Sequence, residues 1–528
     1  MKTNKIKNYT LGIILSSFFL ISIYQLTQQH WSSIMDMDSA VIYNSLLLAS
    51  GYEQEFRDHP AFTLFLINGL IFKFLSFFQN IYPVNIDVIL QSEKINETFQ
   101  FYFNVARITN SFLNILFICI FYHLLDLLRI KRSIIFFTCL LFMFSEWYFL
   151  SFFVLRVEIL SLLFFTISMI FIIRDKKNIH LNYFIAGIFL ALAMLSKIQI
   201  IFFIAYPLIL IPFTFFKKNY SNLNFEISKI ISNYLLLSFI FGVFSFIIFQ
   251  FIIHDHPRFE KNVFLDLFFF LFSFLIILLY YFIINKFKYV YFKKNIILLS
   301  SILNGFVFFI IVLIVLDKFN ILQVNDYILL RITNPIHYLT EFTYTFAEGT
   351  VNSNFLLTKS FQIFTSYSYN LLELILLLIV IFLTVKKNIN KDNYFVTLIL
   401  TFFLIFVLNA TINSFKYAVN YHAYYIFCYL FVFSICINNL DFKISKYLAL
   451  AAIIICLYNS LYINNFKKSD KYSLKHLLNR NGKILSICKE FSLGIKPDGY
   501  INISYLKYYH RKFNDDEIKQ LCKEIYFL

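Results

Sequence analysis

Apolar runs close to the length of a bilayer crossing recur from one end of this sequence to the other, and nothing else constrains the fold as strongly. A helix needs about 20 predominantly apolar residues to cross a hydrocarbon core about 30 Å thick. Thirteen runs approach that length: 9–29, 101–128, 133–150, 154–173, 181–196, 198–216, 230–253, 263–284, 295–316, 370–385, 394–412, 421–439 and 444–463. A further run, 61–78, is ambiguous. Seven prolines and ten glycines leave few breaks for the loops of a soluble multidomain protein, and a chain that is 59% hydrophobic and 14% charged lies outside the soluble globular range. The same figures exclude disordered, collagen-like and disulfide-scaffold classes. The 72 Phe and 36 Tyr sit beside abundant Ile, Asn and Lys, so they read as a general residue bias and not as a cofactor box. The sequence predicts an all-α polytopic membrane protein.

The formal charge of +16 would raise nucleic acid as a partner in a soluble protein. Here it asks which side of a membrane the basic residues occupy, and no nucleic-acid partner is expected. If 61–78 does not cross, the N-terminus and the alternate links carry Lys2, Lys5 and Lys7, then Arg129, Lys131 and Arg132, then Arg174, Lys176 and Lys177 on one face. Lys217, Lys218 and Lys229, the lysines at 286, 288, 293 and 294, those at 386, 387 and 391, and Lys443 and Lys446 join them. The opposite links and their flanks hold twelve basic residues in far more sequence. The positive-inside rule makes the first face cytoplasmic. Letting 61–78 cross would move all but the three N-terminal lysines to the other side, so the run is placed as an interfacial helix on the outer face.

Thirteen crossings with the N-terminus inside follow, and the polar mass then lies outside. It comprises a first loop at 30–100, a large loop at 317–369 and a basic tail at 464–528, beyond a membrane domain spanning 1–463. The inner links are too short to fold a nucleotide-binding domain. Lys2, Lys5 and Lys7 before the first run resemble the flank of a signal sequence, but the run is too long for a signal-peptide core and lacks a small-residue cleavage site, so a retained first span is expected. Five of the seven cysteines fall in apolar runs and no CxxC occurs, which argues against metal–thiolate chemistry. Cys488 and Cys522 lie in the tail, where a disulfide and two separate thiols are both compatible with the sequence.

Ionisable residues in or beside spans are costly and mark function by default. The richest group begins at Met35-Asp36-Met37-Asp38 and ends at Arg57-Asp58-His59-Pro60. Two carboxylates at i, i+2 just after a span can share a metal or divide the roles of base and orienting group. Arg107 opens the second span, Leu155-Arg156-Val157-Glu158 opens the fourth, and Leu190-Ala191-Leu192-Ala193-Met194-Leu195-Ser196-Lys197 closes the fifth. His254-Asp255-His256 with Arg258, and Arg331 with His337, are weaker outer-face groups that read first as solvated loop. Tyr421 and His422 open the twelfth span, where an interfacial aromatic belt is the ordinary reading.

These elements, in this order and at these depths, resemble the glycosyltransferase C superfamily, and within it the branch of protein O-mannosyltransferases and aminoarabinose transferases. The likeness covers about residues 9–216. It rests on the first-loop acidic residue, a short stretch ending in Ser50-Gly51, the His59-Pro60 element, Arg107, the Arg156–Glu158 segment and the Ser196-Lys197 ending. The chain departs from that pattern at Asp36-Met37-Asp38, where Asp-Glu is common, at Ala61 in place of a second proline, and at Glu158 in place of Asp.

The resemblance implies an inverting glycosyltransferase. It would take a sugar from a polyprenyl-phosphate carrier to a hydroxyl of a glycan, glycolipid or protein acceptor at the outer face of the cytoplasmic membrane. Asp36 or Asp38 would be the base, with Glu158 as a second acidic group. Arg57, Asp58, His59, Arg156, Lys197, Tyr421 and His422 would bind substrate, Lys197 foremost for the donor phosphate. The family varies in metal use, so a divalent ion at Asp36, Asp38 or Glu158 is left open. A flippase for a lipid-linked saccharide and a membrane polysaccharide polymerase are the alternatives. The first would favour broken helices and midplane charges, and the second long outer loops rich in Arg and His.

Overall fold

The computed structural model describes residues 2–27, 38–54, 61–79, 82–92, 94–145, 155–174, 179–197, 290–324, 368–388 and 422–466, with 148, 151, 152, 200 and 399 described singly. Among these residues every regular element is an α-helix. In chain order they are α1 (Lys2–Thr27), α2 (Asp38–Ala49), α3 (Phe62–Gln79), α4 (Ile86–Gln91), α5 (Ile95–Leu127) and α6 (Arg132–Met143). There follow α7 (Glu158–Ile173), α8 (Ile179–Ser196), α9 (Val290–Lys318), α10 (Ser368–Asn388), α11 (His422–Asn438) and α12 (Phe442–Phe466). Nine of the thirteen apolar runs coincide with helices, as does 61–78. Runs 230–253 and 263–284, all of 198–216 but Ile200, all of 394–412 but Ile399, and most of the loop at 317–369 and the tail at 464–528 lie outside the described residues.

Two stretches among the described residues, Glu97–Leu127 and Ser301–Lys318, are long and apolar enough to cross a membrane. At 1.5 Å per residue the first is roughly 46 Å long. Six more apolar helices are shorter. Large apolar side chains such as Leu20, Phe74, Phe77, Phe78, Phe382 and Ile454 face outward, where water would leave them unfavourably hydrated.

Helix α5 is the hub, packing against α1, α2, α3, α4, α6 and α7. Rings of α5, α6 and α11 interlock at its C-terminal half, with Phe117–Phe142 centroids at 5.1 Å and Phe121–Phe427 at 5.3 Å. Two boundaries differ from the apolar runs. Run 133–150 predicts a longer helix, yet α6 stops at Met143, where Phe144 N–H reaches the Leu140 carbonyl at 2.9 Å and Ser145 Oγ donates to the Phe142 carbonyl at 2.6 Å. Run 154–173 starts as a helix only at Glu158, and before it the Leu155 N–H is bonded to the Asp38 carboxylate.

In the first loop, α2 ends as its sequence predicts. Gly51 takes φ +80°, Tyr52 N–H reaches the Leu47 carbonyl at 2.9 Å and Gly51 N–H the Leu48 carbonyl at 3.1 Å. This is the doubly bonded stop that glycine permits. The Ser50 hydroxyl then accepts from Ile86 N–H at 2.9 Å and Tyr52 donates to the Asp87 carboxylate, which folds α4 back onto the end of α2. Helix α3 lies along α2, with Gly69 against the Ser45 carbonyl.

The closest helix contact is between α8 and α9. A Cβ on Gly187 would overlap the Ile302 carbonyl, and one on Gly305 would overlap that of Phe184. The two backbones therefore touch, as small residues allow between apolar helices. Gly187→Ala or Gly305→Ala is expected to destabilise the protein by about 1–3 kcal/mol through overpacking. Gly12→Ala, with nothing near its Cβ, changes little. Thermal unfolding in detergent checks the difference.

Candidate functional site

Two buried carboxylates draw together the starts of α2 and α7, the end of α8 and Arg107 within α5. Asp38 is the first residue of α2 and has no exposed surface. Its Oδ2 accepts from Arg107 Nη2 at 3.0 Å, and its Oδ1 accepts from the Leu155 backbone N–H at 2.8 Å. Arg107, on α5, lies with its guanidinium 3.7 Å from the Phe103 ring centroid, which adds a cation–π contact to the ion pair. An isolated charge at this depth would be too costly to keep ionised, and each partner answers the other's desolvation.

Glu158 opens α7 and is equally buried. Its Oε1 lies 3.5 Å from Lys197 Nζ and 3.9 Å from Arg156 Nη1, while neither carboxylate oxygen makes a hydrogen bond. The carboxylate is thus held by charge and not by directed bonds. It also sits at a helix start whose residue Val157 gives no side-chain cap, where the backbone N–H groups and the dipole favour negative charge. Lys197 is 2% exposed and follows α8 directly, its N–H still bonded to the Ala193 carbonyl at 3.0 Å. The preceding Ser196 hydroxyl bonds Thr63 at the start of α3, which fixes the end of α8 against the first loop.

The chain arriving at Leu155 is also pinned. Asn110 and Asn114 on α5 donate to the Ser151 carbonyl at 2.6 and 3.1 Å, and Tyr148 donates to the Asn114 carbonyl at 2.7 Å. One turn into α7, Ser161 Oγ accepts from the fully buried Tyr424 at 3.3 Å. The start of α11 therefore meets the start of α7.

Of the residues singled out in the sequence, Asp38, Arg107, Arg156, Glu158 and Lys197 come together here, with Arg107 on Asp38 and both Arg156 and Lys197 on Glu158. Asp36, Arg57, Asp58, His59 and Tyr421 lie outside the described residues, as do His254, Asp255, His256, Arg258, Arg331 and His337. His422 is the first residue of α11, so its backbone is brought towards α7, and its side chain is not among those described. The sequence marked Arg107 by position but not its partner. It did not mark Tyr424, Thr63 or the Asn110–Asn114 pair, whose polar atoms inside apolar helices were the available signal.

Among the described residues this set holds three cations and two anions. It does not suit a divalent metal. Asp38 has both oxygens engaged and Glu158 already faces two cations, and among the described residues no three His, Cys, Asp or Glu side chains converge. No protein-family model matches the chain, and neither a curated protein nor a solved structure matches it.

Breaking a buried pair leaves an uncompensated charge and costs about 3–5 kcal/mol. Arg107→Gln is expected to destabilise the protein by that order, and Arg107→Gln with Asp38→Asn by less than the sum of the two single changes. A double-mutant cycle on chemical unfolding measures the coupling.

Proposed function

We propose that this protein is a multi-pass membrane glycosyltransferase that moves a sugar from a polyprenyl-phosphate carrier to an acceptor hydroxyl at the outer face of the cytoplasmic membrane, with inversion at the anomeric carbon. The observation that carries this reading is Glu158. It is a buried carboxylate at a helix start, shared by Lys197 and Arg156 without a single hydrogen bond. A phosphate oxygen entering between the two cations would gain the directed bonds that Glu158 lacks, since an Arg fork binds phosphate bidentately and Lys supplies a point charge. The start of α7, which has no side-chain cap, supports the same ligand.

The chemistry follows from that placement. The acceptor oxygen bonds to the anomeric carbon as the bond from that carbon to the phosphate oxygen breaks, and the electron pair leaves with the polyprenyl phosphate. The sugar gains oxocarbenium character on the way. Lys197 and Arg156 meet the growing charge of the leaving phosphate, a stabilisation that works best when preorganised in a dry site. A first-loop carboxylate, Asp36 or Asp38, takes the acceptor proton. Arg57, Asp58 and His59 of the first loop, with Tyr421 and His422 at the start of α11, complete the donor and acceptor contacts. No step needs a metal.

Thirteen crossings, an inner N-terminus and an outward-facing site belong to the same proposal. They rest on the distribution of Lys and Arg and on the apolar outer faces of the helices. A glycan, a glycolipid or a protein can supply the hydroxyl.

The test is complementation of a deletion strain at matched expression, with mass spectrometry of surface glycans and polyprenyl-phosphate sugars. Lys197→Met and Glu158→Gln are expected to lower transfer by roughly 100-fold, the usual cost of removing one preorganised partner. One glycan residue should then disappear and its lipid donor accumulate. Complete glycans in the Lys197→Met strain would refute the transferase reading and move attention to lipid-linked saccharide transport.

A further inference from the structure

We infer that Asp38 is a positioning residue and not the base: its carboxylate latches the Leu155–Glu158 segment to α5, so that Arg156 and Glu158 are presented to Lys197. The inference rests on the donor reading above and assigns the proton-accepting role in it to Asp36.

The geometry leaves Asp38 little else to do. A general base must come within hydrogen-bond reach of the hydroxyl it deprotonates. Asp38 has no exposed surface, one oxygen on Arg107 at 3.0 Å and the other on the Leu155 N–H at 2.8 Å. What it does instead is join three segments far apart in the chain. It opens α2 in the first loop, Arg107 belongs to the middle of α5, and Leu155 belongs to the short non-helical stretch before α7. The residue after Leu155 is Arg156, and Glu158 follows two positions later. An acceptor that fixes the Leu155 N–H therefore fixes the register in which Arg156 and Glu158 arrive. The Ser151 carbonyl, bonded to Asn110 and Asn114 of the same helix α5, pins the chain four residues upstream. The chain is thus held to α5 at Ser151 and, through Asp38 and Arg107, at Leu155, and Asp38 is the hold nearer Arg156.

Charge alone and positioning predict opposite signs. Removing the Asp38 charge makes the buried set more positive, which by electrostatics alone would tighten the binding of an anion. Loss of the latch would misplace Arg156 and Glu158 and weaken it. A lost base would leave binding intact and remove turnover, equally for any residue that cannot take a proton. Asparagine keeps an oxygen for the Leu155 N–H, whereas leucine keeps none.

The experiment uses the full chain in lipid nanodiscs, with undecaprenyl phosphate as the probe. Hydrogen exchange at the Leu155 amide is read in the same samples. In Asp38→Leu, Leu155 is expected to exchange on the order of tenfold faster, the scale of one hydrogen bond to a charged acceptor. The affinity for undecaprenyl phosphate should fall by about tenfold or more by the same reasoning, with Asp38→Asn closer to wild type on both readouts. Asp36→Asn should bind like wild type and lose transfer. Unchanged Leu155 protection in Asp38→Leu, or affinity equal to or tighter than wild type, overturns the inference. So does transfer abolished equally by asparagine and leucine at unchanged affinity. Should wild type fail to bind undecaprenyl phosphate, the donor reading falls, and the Leu155 exchange alone then decides whether the latch exists. A protein in which Asp38→Leu does not fold is replaced by Asp38→Leu with Arg107→Met, which removes the charges as a pair together with the acceptor for the Leu155 N–H and keeps the same readouts.

Discussion

A carboxylate without access to water must be given a cation, and in this protein two such carboxylates decide where four helices meet. The idealised cost of moving one ion into a medium of low dielectric is about 20 kcal/mol, so an unpaired Asp38 or Glu158 would not persist as a charge. The two are satisfied differently. Asp38 has directed bonds on both oxygens, one to a guanidinium and one to a backbone amide. Glu158 has two cations at contact distance and no hydrogen bond at all. The first arrangement holds segments in place and resists change. The second is attractive but loosely directed, which is the property expected of a group that yields its partners to a competing anion.

The placement of Lys197 depends on packing far from any charge. Helix α8 runs against α9 with backbones in contact at Gly187 and Gly305, so its axis is set by a glycine pair more than by interdigitated side chains. At its C-terminal end the Ser196–Thr63 bond ties it to α3, and α3 in turn lies on α2 through Gly69. Since α2 begins at Asp38, a closed path runs from the Asp38 carboxylate through α2, α3 and α8 to Lys197. It returns through Glu158 and Leu155 to Asp38. Such a loop of close backbone contacts and buried polar bonds has little freedom to shift one charge without the others, because packed interiors transmit displacement instead of absorbing it.

Local chemistry was legible in the sequence and distant pairing was not. The apolar runs located most described helices, since burial of a helix face needs only composition. Ser50-Gly51 marked the end of α2 because glycine is the residue that takes a positive φ there without steric cost. Lys197 stood out as a cation between apolar runs. Hydropathy, however, could not see that α6 ends at Met143 or that α7 waits until Glu158, since the apolar runs continue past both limits. Nor could it pair Asp38 with Arg107, 69 residues away, or with the backbone of Leu155, 117 away. Reading Asp38 as a base candidate was natural from its place after a span, and only its burial and its two partners point to another role.

A site made of Lys197 and Arg156 alone would be a poor resting state. Two cations brought together in a dry interior repel, and both side chains would be driven towards water or towards the lipid headgroups. Glu158 solves this by occupying the place between them, so that the pair is assembled before any ligand arrives. In the proposed transferase the donor phosphate then enters a preorganised site and exchanges one anionic partner for another. That exchange costs less reorganisation than assembling two cations from separate positions, and preorganisation of this kind is where electrostatic catalysis gains most. The helix start beneath Glu158 keeps the carboxylate stabilised while it gives up contacts with the cations. A shorter aspartate at position 158 would stand further back from the cations on the same backbone. The longer side chain suits a group that must reach two partners at 3.5 and 3.9 Å and release them without moving the helix that carries it.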